Sequence, residues 1–248
     1  MLRTQGTLRT LRTEEGWIRL FQEKGALWIH DGNPQTLRAK QSSYDGNPKR
    51  PHALLTSGQH SNGFFNSKPI IGDERLLNEA SSDLVNYLFI EREYFDIDIV
   101  DRVVGPATGA TLLAKGIAQS ISLRRERPCY WASPEKEGEG PDKRMIFRDT
   151  KVLPEERILL CEDVITTGES VALTAYAVAK AGGIVIPSYI LILVNRSGRA
   201  EVGGRKIIAL IHHPMPTWIP DECPLCKQGS EAIRPKGAEE WKRLNATY

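Results

Sequence analysis

Apolar positions change their spacing along the chain, and the changes mark out its elements. Between Glu14 and Lys24, Trp17, Ile18, Leu20 and Phe21 recur at roughly helical spacing, and Gly25 follows where such a helix would stop. Residues 33–51, NPQTLRAKQSSYDGNPKRP, carry three prolines and two Asn-Pro steps with little periodicity, which predicts a loop. HALLTSGQHSNGFFNSKPII (52–71) predicts two short extended segments around a Ser-Gly turn, followed by a helix from about Asp73 to Ile90. Beyond it the pattern is strand then helix, repeated. IVDRVVG passes through Pro106 and Gly109 into ATLLAKGIAQS, RILLCEDV passes through Thr166 to Gly168 into SVALTAYAVAKAGG, and IVIPSYILILV follows at once. Apolar strands alternating with helices predict an α/β fold with a mostly parallel central sheet flanked by helices. The tail after Leu210, with its prolines and CxxC, reads as irregular.

In open sheets of this kind ligands bind beyond the carboxyl ends of the strands, and ILLCEDVITTGES (158–170) falls at such an end. A buried strand closing on Glu162 and Asp163 delivers two carboxylates to the rim of the sheet. Thr166, Thr167, Gly168, Glu169 and Ser170 then suit a turn whose backbone amides, with the positive end of the next helix, make a nest for phosphate. Carboxylates beside such a nest need sugar hydroxyls or hydrated magnesium to face, so the ligand suggested is a phosphorylated sugar. The competing reading is a strand, a polar turn and a Thr or Ser helix cap with no ligand.

Composition narrows the classes. The 248 residues, 40% hydrophobic, are enough for one large core, or one core with a small appendage. Lys and Arg total 33 against 31 acids, and a net charge of +2 gives no broad footprint for nucleic acid or anionic membrane. No apolar run has signal-peptide or membrane-spanning character, so the expected location is the cytoplasm. Cys129, Cys161, Cys223 and Cys226 are too few for a disulfide scaffold. His212 and His213 with Cys223 and Cys226 could bind zinc, since CxxC matches half of many structural sites. Without a second pair at regular spacing, the tail is expected to pack on the core or on a neighbouring subunit.

Five stretches carry a family resemblance. LLCEDVITTGES resembles the phosphoribosyl-pyrophosphate (PRPP) signature of type I phosphoribosyltransferases, and LLTSGQHSNGFFN is similar to the segment of orotate phosphoribosyltransferases that forms a small hood over the base. VVGPATGATLLA resembles their pyrophosphate loop, EKEGEG their mobile catalytic loop, and PTWIPDECPLCKQG the C-terminal segment of one bacterial and archaeal branch. The likeness runs from about Glu14 to Gly237, interrupted by the 33–51 insertion. It implies the type I phosphoribosyltransferase fold, divided into 1–72 (N-terminal helix, insertion and hood), 73–211 (PRPP-binding core with a lid at 133–151) and 212–248 (tail).

The resemblance also implies roles. Glu162 and Asp163 would contact the ribose hydroxyls. Val164 and Ile165, with Thr166, Thr167, Gly168, Glu169 and Ser170, would line the PRPP site and hold its 5'-phosphate. Pro106, Ala107, Thr108 and Gly109 would bind pyrophosphate, and Lys136, Lys143 and Arg144 would be the lid's cations. Phe64, Phe65, Thr166 and Arg196 would receive orotate, the arginine meeting its carboxylate with a planar fork. Lys136, Asp163 and Glu162 would be catalytic, with Mg2+ bound mainly through PRPP, and the working form would be a homodimer whose lids close over each other's sites. The 133–151 stretch has ten charged residues and two glycines, the composition of a lid or of a solvated hairpin. The best-known members carry Arg-Lys before this loop and His ahead of Gly-Glu-Gly, where this chain has Ser133, Pro134 and Glu137. Thr108 and Gly109 stand where many have Tyr-Lys, and Thr56 where some have lysine, so fewer cations face the leaving group. A phosphoribosyltransferase for a purine base, or a PRPP-sensing regulator without activity, are the alternatives.

Overall fold

The computed structural model describes residues 10–30, 50–90 and 95–246, so most of the 33–51 insertion lies outside the described residues. Helix α1 (Glu14–Glu23) opens on Thr13, whose hydroxyl accepts from the Gly16 amide, and buries Trp17, Leu20 and Phe21. Strand β1 (Leu27–Ile29) follows, then β2 (His52–Leu54), β3 (His60–Ser61), β4 (Gly63–Phe65), α2 (Lys68–Ile71) and α3 (Glu74–Ile90). Next come β5 (Arg102–Val104), α4 (Thr111–Arg125), β6 (Tyr130–Ala132), β7 (Glu135–Glu137), β8 (Arg144–Ile146), β9 (Arg157–Ile165) and α5 (Glu169–Lys180). The remainder is β10 (Ile184–Asn195), β11 (Glu201–Val202), β12 (Arg205–His212), β13 (Thr217–Trp218), α6 (Pro224–Lys227), β14 (Ala232–Ile233) and α7 (Ala238–Leu244).

The main sheet runs β11-β12-β10-β9-β5-β6. Every neighbouring pair in it is parallel except β11 with β12. Side chains along its central strands alternate between two cores. Leu159 and Cys161 of β9 and Leu191 and Leu193 of β10 join α1, α3 and α4 on one face. Ile158 and Leu160, Ile190 and Ile192 join Val171 and Val178 of α5 on the other. The N-terminal helix is thus part of the main core, and the backbone amide of His212 on β12 donates to Glu14 Oε1 at 2.6 Å.

The tail departs from expectation. It is not irregular: β13 pairs antiparallel with β3, and β14 pairs parallel with β2, giving a second sheet of order β13-β3-β2-β14. Trp28, Ala53, Leu55, Ile233 and Leu244 form a separate small core there, against which Phe64 and Trp241 pack. Indole N–H groups fasten it, Trp28 donating to the Leu244 carbonyl at 2.7 Å and Trp241 to that of Gly25 at 3.1 Å. Strands of two residues have no periodicity of their own, and only partners more than 150 positions away in sequence define them.

Candidate active site

Strand β9 carries Glu162 and Asp163 to the rim of the main sheet, beside the turn after β5. Asp163 lies against Gly109 so closely that a Cβ on the glycine would sit 2.6 Å from Oδ2, which excludes any side chain there. From across the crevice, the Ser67 hydroxyl donates to the same Oδ2 at 2.5 Å. Glu162 is only 6% exposed, and its pKa is pushed well above the ordinary carboxylate range, first by burial and then by Asp163 beside it. Its Oε1 accepts from the Asp163 amide at 3.2 Å.

The turn at 166–168 enters α5 through Gly168, whose φ of +85° favours glycine and whose Cβ would strike Val202 Cγ2 at 2.6 Å. No side chain caps this helix from the N-cap position; a Thr167 hydroxyl 3.4 Å from the Glu169 amide is the nearest approach to one. That contact is long, and the other amides in the first turn of α5 are the groups an anion would meet. Arg199 donates to the Thr167 carbonyl at 3.2 Å, which turns that oxygen outward. At the other loop, Ala107 and Gly109 are half-buried and Thr108 exposed; the Ala110 amide donates to the Pro106 carbonyl at 3.0 Å. The Ala107–Thr108 peptide is cis.

The 133–151 segment is a hairpin, β7 pairing antiparallel with β8. Its neck is tied. The Thr150 hydroxyl accepts from the Ser133 amide at 2.9 Å and donates to the Ser133 carbonyl at 3.1 Å. Buried Ser133 donates its hydroxyl to the Gly105 carbonyl at 2.8 Å, with Thr111 Oγ1 2.7 Å away, so it anchors the hairpin to the turn after β5. Lys143 pairs with Glu169 at the start of α5. Arg144 is turned back on Glu137, its Nε 2.7 Å from Oε2, and Arg148 shares that carboxylate. Lys136 is exposed and has no acidic partner among the described residues.

Reading by sequence missed the cations near Lys236, Lys136 among them. The Lys236 ammonium is held below its ordinary range, first by burial and then by Arg234, Lys136 and Lys68. Lys68, Lys136, Arg234 and Lys236 thus share one electropositive neighbourhood. No motif marks Lys68 or Lys236; the only signal was the shortage of cations elsewhere.

On the side of the base, Arg196 is 3% exposed and burial lowers its pKa to about 10. It donates through Nη1 to the Gly63 carbonyl at 3.0 Å and through Nη2 to Ser61 Oγ at 2.6 Å, while Nε has no hydrogen-bond partner. No carboxylate pairs with it among the described residues. His213 Nε2, also buried, lacks a partner too, and its ring stands 5.8 Å from Phe65. The two phenylalanines diverge, as alternation along β4 requires. Phe65 is in the main core, edge-on to Phe21 at 5.3 Å, and Phe64 faces Trp241 at 5.8 Å. The zinc reading needs correction: the histidines beside Cys223 and Cys226 are His52 and His60. His212 Nδ1 lies near Asn195 Nδ2, and His213 faces Phe65.

No family model matches the chain. Individual proteins do: an orotate phosphoribosyltransferase of Desulforamulus reducens is 35% identical over 185 residues, 74% of this chain and 87% of that protein. The chain belongs to the orotate phosphoribosyltransferase family. The orotate phosphoribosyltransferase of Heliobacterium modesticaldum is 32% identical over 74% of this chain and 88% of its own, and that of Thermus thermophilus 32% over 72% and 88%. A solved orotate phosphoribosyltransferase from Aeropyrum pernix is 22% identical, covers 78% of this chain and 91% of its own, and has a TM-score of 0.48.

Proposed function

We propose that the chain transfers the 5-phosphoribosyl group of PRPP to N1 of orotate, giving orotidine 5'-monophosphate and pyrophosphate, a step of de novo pyrimidine synthesis. The observation that carries this reading is the contact of Asp163 with Gly109, which joins the two acids and both anion-binding turns in one crevice.

In the reaction the bond from C1 of the ribose to the pyrophosphate oxygen breaks and a bond from C1 to N1 forms. Positive charge grows on the ribose and negative charge on the leaving group. Glu162 and Asp163 accept from the ribose hydroxyls and fix the ring. Amides at the start of α5, with the hydroxyls of Thr166, Thr167 and Ser170, take the 5'-phosphate. Pro106 to Gly109 take the pyrophosphate, and Lys136, with Lys68 and Lys236, supplies charge over it. The hairpin closes the crevice against water that would hydrolyse the sugar. Arg196, a buried guanidinium without an acid, meets the orotate carboxylate. The rim's oxygen donors suit Mg2+, a hard cation, which would neutralise pyrophosphate as part of the bound substrate. We place the chain in the cytoplasm as a homodimer; no described helix is long and apolar enough to cross a membrane.

The test mixes the chain with magnesium, PRPP and orotate and follows the loss of orotate absorbance, with uracil, hypoxanthine and adenine as competing bases. Orotate consumption with pyrophosphate release is the expected result. Consumption of a purine in its place would move the assignment to that base, and PRPP binding with no base consumed would leave a sensor.

A further inference from the structure

Cys223 and Cys226 bracket the start of α6, and their sulfurs face two histidines on neighbouring strands of the hood sheet, His52 on β2 and His60 on β3. His52 Nε2 lies 3.0 Å from His60 Nδ1, 3.5 Å from Cys223 Sγ and 3.6 Å from Cys226 Sγ, and Cys226 Sγ lies 3.2 Å from His60 Nδ1. All four atoms fall within 4.8 Å of one another. A tetrahedral zinc ion with Zn–S of about 2.3 Å and Zn–N of about 2.05 Å needs ligand-to-ligand edges of roughly 3.3 to 3.8 Å. Those four separations stand at or inside such edges, and the widest pair, within 4.8 Å, would draw in by about 1 Å as the ion binds.

The second nitrogen of His52 settles which way its lone pair points. Ser230 donates its hydroxyl proton to the Arg50 carbonyl at 2.6 Å, so at 2.8 Å from His52 Nδ1 the serine oxygen must accept. Nδ1 therefore carries the proton, and Nε2 presents a lone pair to the cluster. A hydroxyl orienting the remote nitrogen of an imidazole is the arrangement a metal-binding histidine uses.

We infer that His52 Nε2, His60 Nδ1 and the thiolates of Cys223 and Cys226 form a tetrahedral structural zinc site, closed by four protein ligands, that clasps the tail to the hood. On binding, the two thiols release their protons and the dianionic pair neutralises the ion. Two ligands come from strands near residue 55 and two from a segment some 170 positions later, so the ion would join parts of the chain that hydrogen bonds between two-residue strands hold weakly. The site also bears on the crevice. Next to His60, Ser61 accepts from Arg196 Nη2 at 2.6 Å and donates to the Pro216 carbonyl at 2.6 Å, so the clasp holds the strand under the buried guanidinium. None of this depends on which base the enzyme takes.

The test uses the full chain, without a histidine tag, purified under reducing conditions from zinc-supplemented cells. Elemental analysis is expected to find about one zinc per chain, and Cys226→Ser and His60→Ala to retain below roughly a tenth of an equivalent, while Cys129→Ser, outside the cluster, keeps its metal. Because those variants could misfold, cobalt(II) is exchanged into the unaltered protein, where intense visible bands of a tetrahedral thiolate site are the supporting result. A folded, unaltered chain that takes up less than about a tenth of an equivalent of zinc on reconstitution, or that shows octahedral cobalt bands, overturns the site. So does a Cys223–Cys226 disulfide in protein kept reduced.

Discussion

The acidic rim at the end of β9, which accepts from Ser67 just before α2, and the hood sheet, whose Ser61 accepts from Arg196, are assembled by different means. The rim comes from short contiguous stretches, each a strand running into a helix, and rests on the main sheet and its two deep cores. The hood is stitched from residues 52–65 and 217–244, on a core of a few side chains. Local sequence suffices where a parallel sheet already sets geometry; a small mixed sheet must borrow order from remote segments, indole hydrogen bonds and, on our inference, a metal ion.

That contrast can be tested from either side. On the rim, Asp163→Asn keeps the shape and removes the charge, and kcat is expected to fall about a hundredfold, as for other losses of positioning at a reacting centre. An unchanged rate would place the chemistry elsewhere. For the lid, Lys136→Ala should lower kcat by about tenfold or more, with little change in the KM for orotate, because its charge is needed when the leaving group departs. On the hood side, Arg196→Ala should lower kcat/KM for orotate by roughly tenfold, the worth of a charged hydrogen bond, and spare PRPP binding; orotate turnover indifferent to the change would favour a base without a carboxylate. The double variant Lys68→Ala and Lys236→Ala is expected to raise the KM for PRPP by about threefold, and the effect should shrink in high salt.

The smallest effect concerns stability. Glu162 has a folded-state pKa above its unfolded value of 4.5, so its contribution is fully present below that value and is lost as pH rises through the folded pKa. Glu162→Gln, which cannot ionise, should therefore lose less melting temperature than the parent between pH 5 and 8, by about a few degrees. Parallel melting curves for the two proteins would mean that Glu162 is ionised with little strain.

How much of this could be read from the chain follows the same divide. The unbroken apolar run from Ile158 to Cys161, and the Thr, Gly and Ser residues at 166–170, announce a buried strand and a turn suited to an anion, because both are local patterns. Ser67 sits in FFNSK with nothing to distinguish it from any hydroxyl before a proline-capped turn. His52 and His60 carry no spacing that relates them to a CxxC in the tail, so His212 and His213, nearer in sequence, were the natural but wrong partners. Phe64 and Phe65 did hold a signal: adjacent residues on a strand face opposite ways, so both could not address one ligand.

The reciprocal pair between Ser133 and Thr150 makes the intervening stretch topologically separable from the sheet that bears it. Between those two anchors Met145 and Phe147 turn inward onto the body of the protein, whereas the exposed tip of the hairpin is free to vary in length and charge. The hairpin is thereby a graft point, where new sequence can be inserted with the scaffold's strands still pinned at its base.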